Sequence, residues 1–483
     1  MSPFIVLSIV LAYFLVLIVI SWITGRDQGN SAFYLGNRQS PWFVVAFGMI
    51  GATLSGVTFI SIPGWVGESS FSYMQMVFGY VFGYYIIANV LMPLYYRMNL
   101  TTIYTYLEDR FGFYSYKTGA MFFLVSRLVG ASLRVFLMAG VLQITVFDAW
   151  GIPFYATVLV TVLFIWLYTF RGGIGTIIWT DTLQTLFMLI AAGATVWTIS
   201  GELGLGLRGV FGVIGESDWS RVFYFDDWRD GRFFLKQFVG GIFIAIVMTG
   251  LDQDMMQKNL SCKNIREARK NMYWFSITLV PVKLLLLCLG ALLLIFATQT
   301  GIPLPDRADD IFPVIATQGY LPSFIGVFFI VGVVAATYSS ADSTLTALTT
   351  SFILDILGRG RVTRPASVRN RKLVHALMAL LLGGLIMVFR ALNDQSVISA
   401  VLTLAGYTYG PLLGLYAFGI FTKIRVRDRL VPLVAILSPA LTWLLDARSE
   451  QLFAGYRFGY EIVVVNGLIM FFGLWLLRRP SAG

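Results

Sequence analysis

Residues 51–56 read Gly-Ala-Thr-Leu-Ser-Gly, and they lie inside an apolar run over residues 42–66 that ends at Pro63-Gly64. A run of this length can cross a membrane as a helix. Glycine and proline at these spacings do not fit a regular helix. The stretch therefore predicts a membrane helix that unwinds between residues 51 and 56.

A second irregular helix is expected five spans further along the chain. The apolar run over residues 237–257 contains Gly240-Gly241, which we expect to open the helix, and it is interrupted near Gly250. Single glycines in membrane helices often serve close helix packing. Two interrupted helices at matching positions instead indicate an inverted-repeat transporter, whose binding site lies at the breaks.

The composition of the chain fits a membrane protein. Its 483 residues are 57% hydrophobic and 12% charged, whereas an average soluble domain is about 25% charged. Apolar runs of span length recur about thirteen times, and lipid forces such runs to be helical because it offers no partner for free backbone groups. The runs lie near residues 3–23, 42–66, 73–96, 119–147, 153–170, 177–201, 237–257, 274–298, 322–356, 373–391, 396–421, 430–445 and 460–477.

The basic residues predict how these helices are oriented. If the N-terminus lies outside, most of the 35 Lys and Arg residues fall in cytoplasmic loops, as the positive-inside rule requires. The net charge of +10 is then a topology signal and does not indicate a nucleic-acid partner. We expect a multi-pass protein of a cell membrane, the bacterial cytoplasmic (inner) membrane, with its C-terminus in the cytoplasm. No obligatory protein partner is evident.

Few ionisable side chains lie within the predicted spans, namely Arg127, Arg134, Asp181, Lys283 and Asp342. Each costs about 2.5–3.5 kcal/mol on insertion scales, which makes each a functional candidate. We expect Arg127 to extend to the cytoplasmic surface or to line an exit path. Lys283 could be a salt-bridge partner, a proton site or a residue that faces a water-filled cavity.

Arg134 lies in the middle of the fourth predicted span. Its planar guanidinium suits a carboxylate. That carboxylate could belong to a solute, or to an aspartate of the chain in an internal ion pair.

The ninth predicted span carries a polar face. Ser339, Asp342 and Ser343 stand at i, i+3 and i+4, so their oxygens share one side of a helix. Sodium is a hard cation that needs several oxygen ligands, and the carbonyls of Gly51 and Leu54 at the first break could add to them. Hydroxyl groups also bond ordinary helix pairs in membranes, but the carboxylate of Asp342 favours a cation site.

Four segments carry a family resemblance. They are residues 51–63, Trp179-Thr180-Asp181 after Arg171-Gly172-Gly173, residues 252–258 and residues 336–343. Together they resemble the sodium/solute symporter family, which includes sodium–glucose, sodium–proline and sodium–sialic acid symporters, and they are most similar to the bacterial sodium–sialic acid symporters.

The resemblance implies an all-α integral membrane protein with a LeuT-type fold. In this fold two inverted repeats of five helices follow one leading helix and precede two trailing helices. We expect a single transporter domain over residues 1–483, with the leading helix at 3–23, the repeats at 42–201 and 237–421, and the trailing helices at 430–477.

The resemblance also implies the ligand sites, with one or two sodium ions. The first sodium site would use the carbonyls of Gly51, Leu54 and Ala336 and the hydroxyls of Ser339 and Ser340. Related chains often have Ala at position 51, a difference we expect to be harmless if only the carbonyl binds.

A second sodium site is implied at Asp181, Ser339 and Ser343. Asp342 replaces a serine of that pattern, so the two carboxylates could hold sodium or share a proton.

For the solute, the resemblance implies Thr53, Ser55, Thr58 and Arg134. Val77 replaces a polar residue of the sialic acid and sugar symporters, and Tyr73 replaces a phenylalanine. Because unpaired buried hydroxyls are costly, these replacements favour a carboxylate-bearing solute, such as sialic acid, another sugar acid or a monocarboxylate.

The sequence therefore favours sodium-coupled symport by alternating access. Proton coupling through Asp181 and Asp342 stays open, as does sodium symport of a neutral sugar or an amino acid. A membrane solute sensor is the alternative outside transport. An enzyme is disfavoured, because one His and two Cys residues supply neither a nucleophile–base pair nor a metal cluster.

Overall fold

The computed structural model describes the chain in five stretches, and helices make up nearly all of them. The stretches are residues 2–24, 34–169, 174–357, 368–392 and 397–479. Within them, β structure is limited to two isolated bridges, Ser40 with Cys262 and Val426 with Arg478. The apolar runs fold as helices because each segment then pairs its own backbone groups.

The helices are numbered in chain order. In the first half they are α1 (Pro3–Thr24), α2 (Trp42–Thr53), α3 (Gly56–Ser69), α4 (Tyr73–Arg97), α5 (Thr105–Arg110), α6 (Phe113–Trp150), α7 (Phe154–Thr169), α8 (Ile174–Glu202) and α9 (Leu207–Glu216).

The second half begins after the loop that contains α9. Its helices are α10 (Phe234–Gly250), α11 (Gln253–Leu260), α12 (Ile265–Thr300), α13 (Ile311–Thr317), α14 (Ser323–Ile356), α15 (Val368–Leu392), α16 (Val397–Phe421), α17 (Val431–Ala447), α18 (Ser449–Leu452) and α19 (Ile462–Leu476).

Most predicted spans correspond to a long apolar helix. In the described part of the chain, nine helices are long and apolar enough to cross a membrane, and two bent helix pairs pass the same test as pairs. The fifth and thirteenth predicted spans correspond to shorter apolar helices, over Phe154–Leu167 and Ile462–Leu476. An all-α membrane fold is therefore confirmed, and the count of thirteen crossings stays a prediction.

Both predicted interruptions are present. The axes of α2 and α3 differ by 54°, and the break lies at Leu54 and Ser55, whose ψ angles of 61° and 170° are not helical. The axes of α10 and α11 differ by 65°, and the break follows Gly250.

The expectation that Gly240-Gly241 opens the second of these helices is wrong. Both residues lie inside the continuous first part of α10. A Cβ atom on Gly241 would lie 2.2 Å from the carbonyl oxygen of Met76, and one on Gly79 would lie 2.2 Å from that of Phe238. These glycines let α4 and α10 approach closely, which is the packing role that small residues have in membrane helices.

Candidate functional site

The first break leaves backbone carbonyls without partners. Leu54 ends α2 by donating its N–H to Ile50, but no described residue donates a hydrogen bond to the carbonyl of Gly51 or of Leu54. The hydroxyl of Thr58 reaches back to the carbonyl of Thr53 at 3.1 Å. Two carbonyl oxygens at the break therefore lack a described donor, and their role as cation ligands stays a prediction.

Helix α14 passes directly beside this break. A Cβ atom on Gly56 would lie 2.2 Å from Oγ1 of Thr337, so the two helices touch where α3 begins. Ala336 lies inside continuous helix, so its carbonyl has only a second lone pair to offer. Ser340 is buried, and the side chain of Ser339 lies outside the described residues. The structure thus brings most of the predicted first sodium site together, and its role stays a prediction.

The expectation that alanine at position 51 is harmless does not fit this chain. A Cβ atom on Gly51 would lie 2.2 Å from Oγ1 of Thr185 and 2.9 Å from the carbonyl oxygen of Asp181. The Thr185 hydroxyl is held there because it donates to the carbonyls of Phe47 and Asp181, at 3.1 and 2.7 Å. Gly51 is therefore required for the close contact between α2 and α8.

A cavity adjoins the break on the side of α4 and α6. It offers about 90 Å³ to the centres of water-sized molecules and is lined by residues of α2, α3, α4, α6, α10, α11, α12 and α16. Of the predicted solute residues, the lining includes Thr53, Ser55, Thr58, Tyr73 and Arg134. The hydroxyl of Thr53 is buried and has no partner among the described residues.

Val77 is the predicted solute residue that the structure places elsewhere. It is fully buried and does not line the cavity. Tyr73 and Tyr80 stand on the same face of α4, and their hydroxyls are 3.3 Å apart. Both tyrosine side chains are longer than that of Val77, and both line the cavity.

Arg134 has the position expected of a group that binds an anion. It lines the cavity and its side chain is 9% exposed. Its Nη1 donates to Oγ of Ser340 at 3.1 Å, so it touches the helix of the predicted sodium site. Arg134 forms no ion pair with a carboxylate of the described residues, which favours the alternative of a solute carboxylate.

Lys283 also lines the cavity. Of the three roles left open for it, this position supports that of a residue facing a cavity. Its side chain is 2% exposed, and Nζ lies 5.6 Å from the centre of the Tyr73 ring. No carboxylate of the described residues pairs with it either. Lys283 is therefore, like Arg134, a buried basic side chain of the cavity wall without a described carboxylate partner.

Arg127 is not a surface residue, so the expectation that it reaches the membrane surface is wrong. Its side chain is 4% exposed, it forms an ion pair with Asp254, and Nη1 lies 3.7 Å from Oδ2 of Asp252. Burial is favourable because both carboxylates lie at the second break, within reach of the guanidinium. Arg127 still lines the cavity, but its charge is compensated.

The residues of the predicted second sodium site have other partners. Nζ of Lys258 lies 2.6 Å from Oδ2 of Asp181, and both side chains are 0% exposed. The hydroxyl of Ser343 donates to Asp254, and Asp342 is fully buried one residue before it. A sodium ion at Asp181 would have to displace the ammonium of Lys258, so this site stays a prediction.

Sequence reasoning missed part of the cavity wall. Tyr80, Tyr84 and Thr249 line it, and none of them was predicted. A signal was present, since Tyr73, Tyr80 and Tyr84 recur at the seven- and four-residue spacings of one helix face.

Aromatic side chains separate the cavity from a second pocket on the side of α19. Trp65 lines this outer pocket, which has a volume of about 340 Å³. The Trp65 ring centre lies 6.0 Å from that of Tyr73 and 6.4 Å from that of Tyr460. Because Tyr73 also lines the inner cavity, these three rings lie between the two spaces.

Comparison with known proteins gives a consistent picture. Residues 33–428 match the model of the Sodium:solute symporter family. The chain is 26% identical over 471 residues to the sodium/sialic acid symporter NanT of Aliivibrio fischeri, which covers 92% of this chain and 88% of that protein. It is also 26% identical over 418 residues to human sodium-coupled monocarboxylate transporter 1, covering 82% of this chain and 65% of the human protein.

The fold has a counterpart among solved structures. A Na⁺-coupled sialic acid symporter in a substrate-bound outward-open state superposes with a TM-score of 0.83 over 98% of this chain and 97% of that one, at 20% identity. This likeness confirms the predicted fold class.

Proposed function

Because the chain belongs to the Sodium:solute symporter family, we propose that it imports a small carboxylate-bearing solute together with sodium by alternating access. The observation that carries the proposal is Arg134, a buried guanidinium in the cavity wall without a carboxylate partner in the described chain. An unpaired charge in a membrane protein is costly. A solute carboxylate would compensate it and accept the forked hydrogen bonds that guanidinium offers.

The relatives support the solute class. NanT is named for sialic acid and the human relative for monocarboxylates, and both kinds of solute carry a carboxylate. Within the cavity, the unpaired hydroxyl of Thr53 and those of Ser55 and Thr58 would receive hydroxyl or carbonyl groups of the solute. We propose sialic acid, another sugar acid or a monocarboxylate as the candidates to test.

We propose that sodium binds at the first break. The free carbonyls of Gly51 and Leu54 support this site, and the carbonyl of Ala336 with the hydroxyls of Ser339 and Ser340 would complete it. Ser340 would then lie between the two ligands, because it already accepts a hydrogen bond from Arg134. Such a shared residue would link sodium binding to solute binding.

The number of sodium ions decides the electrical character of transport. One sodium ion with a monoanion moves no net charge, whereas a second ion would gain about 2.3 kcal/mol per 100 mV of membrane potential. A second ion at Asp181 and Asp342 requires that Lys258 move away. A shared proton at these carboxylates is the proton-coupled alternative.

The proposed function also implies a location in the cell. We propose a multi-pass protein of the bacterial inner membrane with its N-terminus outside, in which the pocket at Trp65 opens to the outside. No protein partner and no enzymatic step is needed for this function.

The test is thermal unfolding of the purified full-length protein in sodium and in potassium, with sugar acids, monocarboxylates, neutral sugars and amino acids added. A ligand at 100 times its Kd stabilises the folded state by about 2.7 kcal/mol. We expect sodium to raise the midpoint, and a carboxylate to raise it further only when sodium is present.

Arg134→Gln should lose the response to the carboxylate, and Arg134→Lys should keep a weakened response. Arg390→Gln is the matched control, because Arg390 on α15 does not line the cavity. An unchanged response of Arg134→Gln would contradict the carboxylate role. If pH replaces sodium in its effect, coupling is to protons, and if binding occurs without sodium-driven uptake into proteoliposomes, the chain acts as a sensor.

A further inference from the structure

The charge of the cavity wall exceeds what one carboxylate can compensate. Three cationic side chains line the cavity, those of Arg127, Arg134 and Lys283, and its described lining contains no acidic residue. The ion pairs with Asp252 and Asp254 account for Arg127. Two basic side chains, Arg134 and Lys283, are then left in the lining without a described acidic partner.

These two basic groups are buried in the wall of one cavity. Arg134 and Lys283 are 9% and 2% exposed, and both line the same space. They come from different helices, α6 and α12, so local sequence does not force them together. Buried like charges in a membrane protein are unfavourable unless a ligand compensates them.

We infer that the solute carries two anionic groups, one held by Arg134 and the other by Lys283. The inference rests on the proposed function and narrows its solute class to small dianions, with short-chain dicarboxylates as the reference compounds. The planar guanidinium would bind one carboxylate through two N–H groups, and the ammonium would act as a point charge for the other. The Tyr73 ring, 5.6 Å from Nζ, holds the ammonium at the wall by a cation–π contact.

The size of the cavity agrees with a small dianion. Its 90 Å³ is roughly six to nine times the space that one buried water needs. This space would admit a small dicarboxylate such as succinate. The unpaired hydroxyl of Thr53 would face the middle of the bound solute.

The charge balance sets a further requirement. A dianion that enters with two cations moves no net charge, but with one cation it would enter against an inside-negative potential. We therefore expect two cations per dianion, and a second one at Asp181 would require the ammonium of Lys258 to move away.

The experiment compares each dicarboxylate of a chain-length series with its own monoamide, which has nearly the same shape and one charge less. Affinities are measured in sodium from thermal unfolding of the purified full-length protein. We expect at least one dicarboxylate to bind roughly tenfold to a hundredfold more tightly than its monoamide, the worth of one charge-assisted hydrogen bond.

Lys283→Met should abolish this preference and leave binding of the monoamide nearly unchanged, and Lys283→Arg should keep part of the preference. Lys270→Met is the matched control, since Lys270 is an exposed lysine on the same helix. The inference is overturned if no dicarboxylate in the series exceeds its monoamide, or if Lys283→Met leaves the preference intact.

These failures differ from a failure of the proposed function. If monoanions bind with sodium and need Arg134, but a second charge brings no advantage, only the dianion is excluded. If no carboxylate binds in an Arg134-dependent way, the proposed function itself fails.

Discussion

The two broken helices occupy matching places in the two repeats, yet the hydrogen bonding of the backbone carbonyls differs between the two breaks. At the first break the carbonyls of Gly51 and Leu54 have no described donor. At the second break, the carbonyls of Gly250 and Leu251 accept hydrogen bonds from Tyr95 and Tyr104, at 2.8 and 3.0 Å. One break is open to ligands and the other is closed by the protein.

The helices that follow the two breaks, α3 and α11, also differ in how they are attached to the rest of the protein. The carboxylate of Asp252 caps α11 by accepting from the N–H groups of Asp254 and Met255. Helix α11 is also tied to two neighbours by buried ion pairs, from Asp254 to Arg127 on α6 and from Lys258 to Asp181 on α8. No described residue of α3 forms an ion pair. Buried ion pairs therefore tie α11 to its neighbours, whereas α3 is held by close packing without them.

The strongest test of this difference is to remove an ion pair that fixes α11. Lys258→Met leaves the carboxylate of Asp181 buried without its ammonium, and breaking a buried pair in this way costs about 3–5 kcal/mol. We expect a large fall in the unfolding midpoint and in the yield of monodisperse protein. Asp181→Asn alone should destabilise in the same direction.

The double variant Lys258→Met/Asp181→Asn is the control, and it should recover much of the loss because no buried charge remains. Single and double variants of equal stability would show that the pair does not fix α11. The variant Lys258→Met also examines the second sodium site. If sodium stabilises this variant far more than the natural chain, the ion has replaced the ammonium at Asp181.

The close packing behind the first break gives the second test. In Gly51→Ala the new Cβ atom would lie 2.2 Å from Oγ1 of Thr185, and such overpacking typically costs about 1–3 kcal/mol. We expect a lower unfolding midpoint and weaker stabilisation by sodium. Adding Thr185→Ala should restore part of both, because it removes the atom in conflict. A Gly51→Ala protein that matches the natural chain would mean that α2 and α8 can move apart freely.

The sequence predicted the backbone of the site better than its side chains. The glycine and proline pattern located both breaks, because helix geometry is a local property. The same pattern could not show that ion pairs tie α11 to its neighbours, since Asp254 contacts Arg127 only after helices distant in the sequence have packed together. The seven-residue spacing of Arg127 and Arg134 likewise gave no sign that one guanidinium has a carboxylate partner and that the other has none among the described residues.

The solute residues show the same limit. Thr53, Ser55, Thr58 and Arg134 do line the cavity. The resemblance could predict this because it places these residues by their positions in a shared fold. Lys283 matched no residue of the family pattern, so the resemblance assigned it no role. Its place in the cavity wall depends on how α12 packs against the other helices. Long-range packing decides such placements, and no local pattern contains it.

Ser340 gives a test with a smaller effect, which concerns what the open break binds. Ser340→Ala removes the acceptor that Arg134 uses at 3.1 Å. We expect solute affinity to fall roughly fivefold, since a hydrogen bond of this kind contributes about 1 kcal/mol. If Ser340 also holds sodium, the sodium concentration for half-maximal stabilisation should rise in the absence of solute. Ser340→Thr, which keeps the hydroxyl, is the control, and an effect on solute alone would remove Ser340 from the sodium site.

The smallest expected effect concerns how α3 is held without an ion pair. The turn Ala308–Asp310 packs on Gly64 of α3, where a Cβ atom would lie 2.1 Å from the carbonyl oxygen of Ala308. Asp309 in this turn is buried and accepts a hydrogen bond from the N–H of Val397 at 2.9 Å, which ties the turn to the start of α16.

Burial raises the pKa of Asp309 above its ordinary value, against weaker opposing effects of Ser61, the Val397 N–H and Arg307, and Asp310 adds to the rise. A carboxyl group with a raised pKa favours folding when protonated, so its contribution is complete below the unfolded pKa and is lost as pH rises through the folded one. Asp309→Asn keeps the acceptor but cannot ionise. As pH rises through this range, we expect the unfolding midpoint of the natural chain to fall relative to that of the variant. Parallel pH curves for the two proteins would show that the turn does not hold α3 through a neutral carboxyl group.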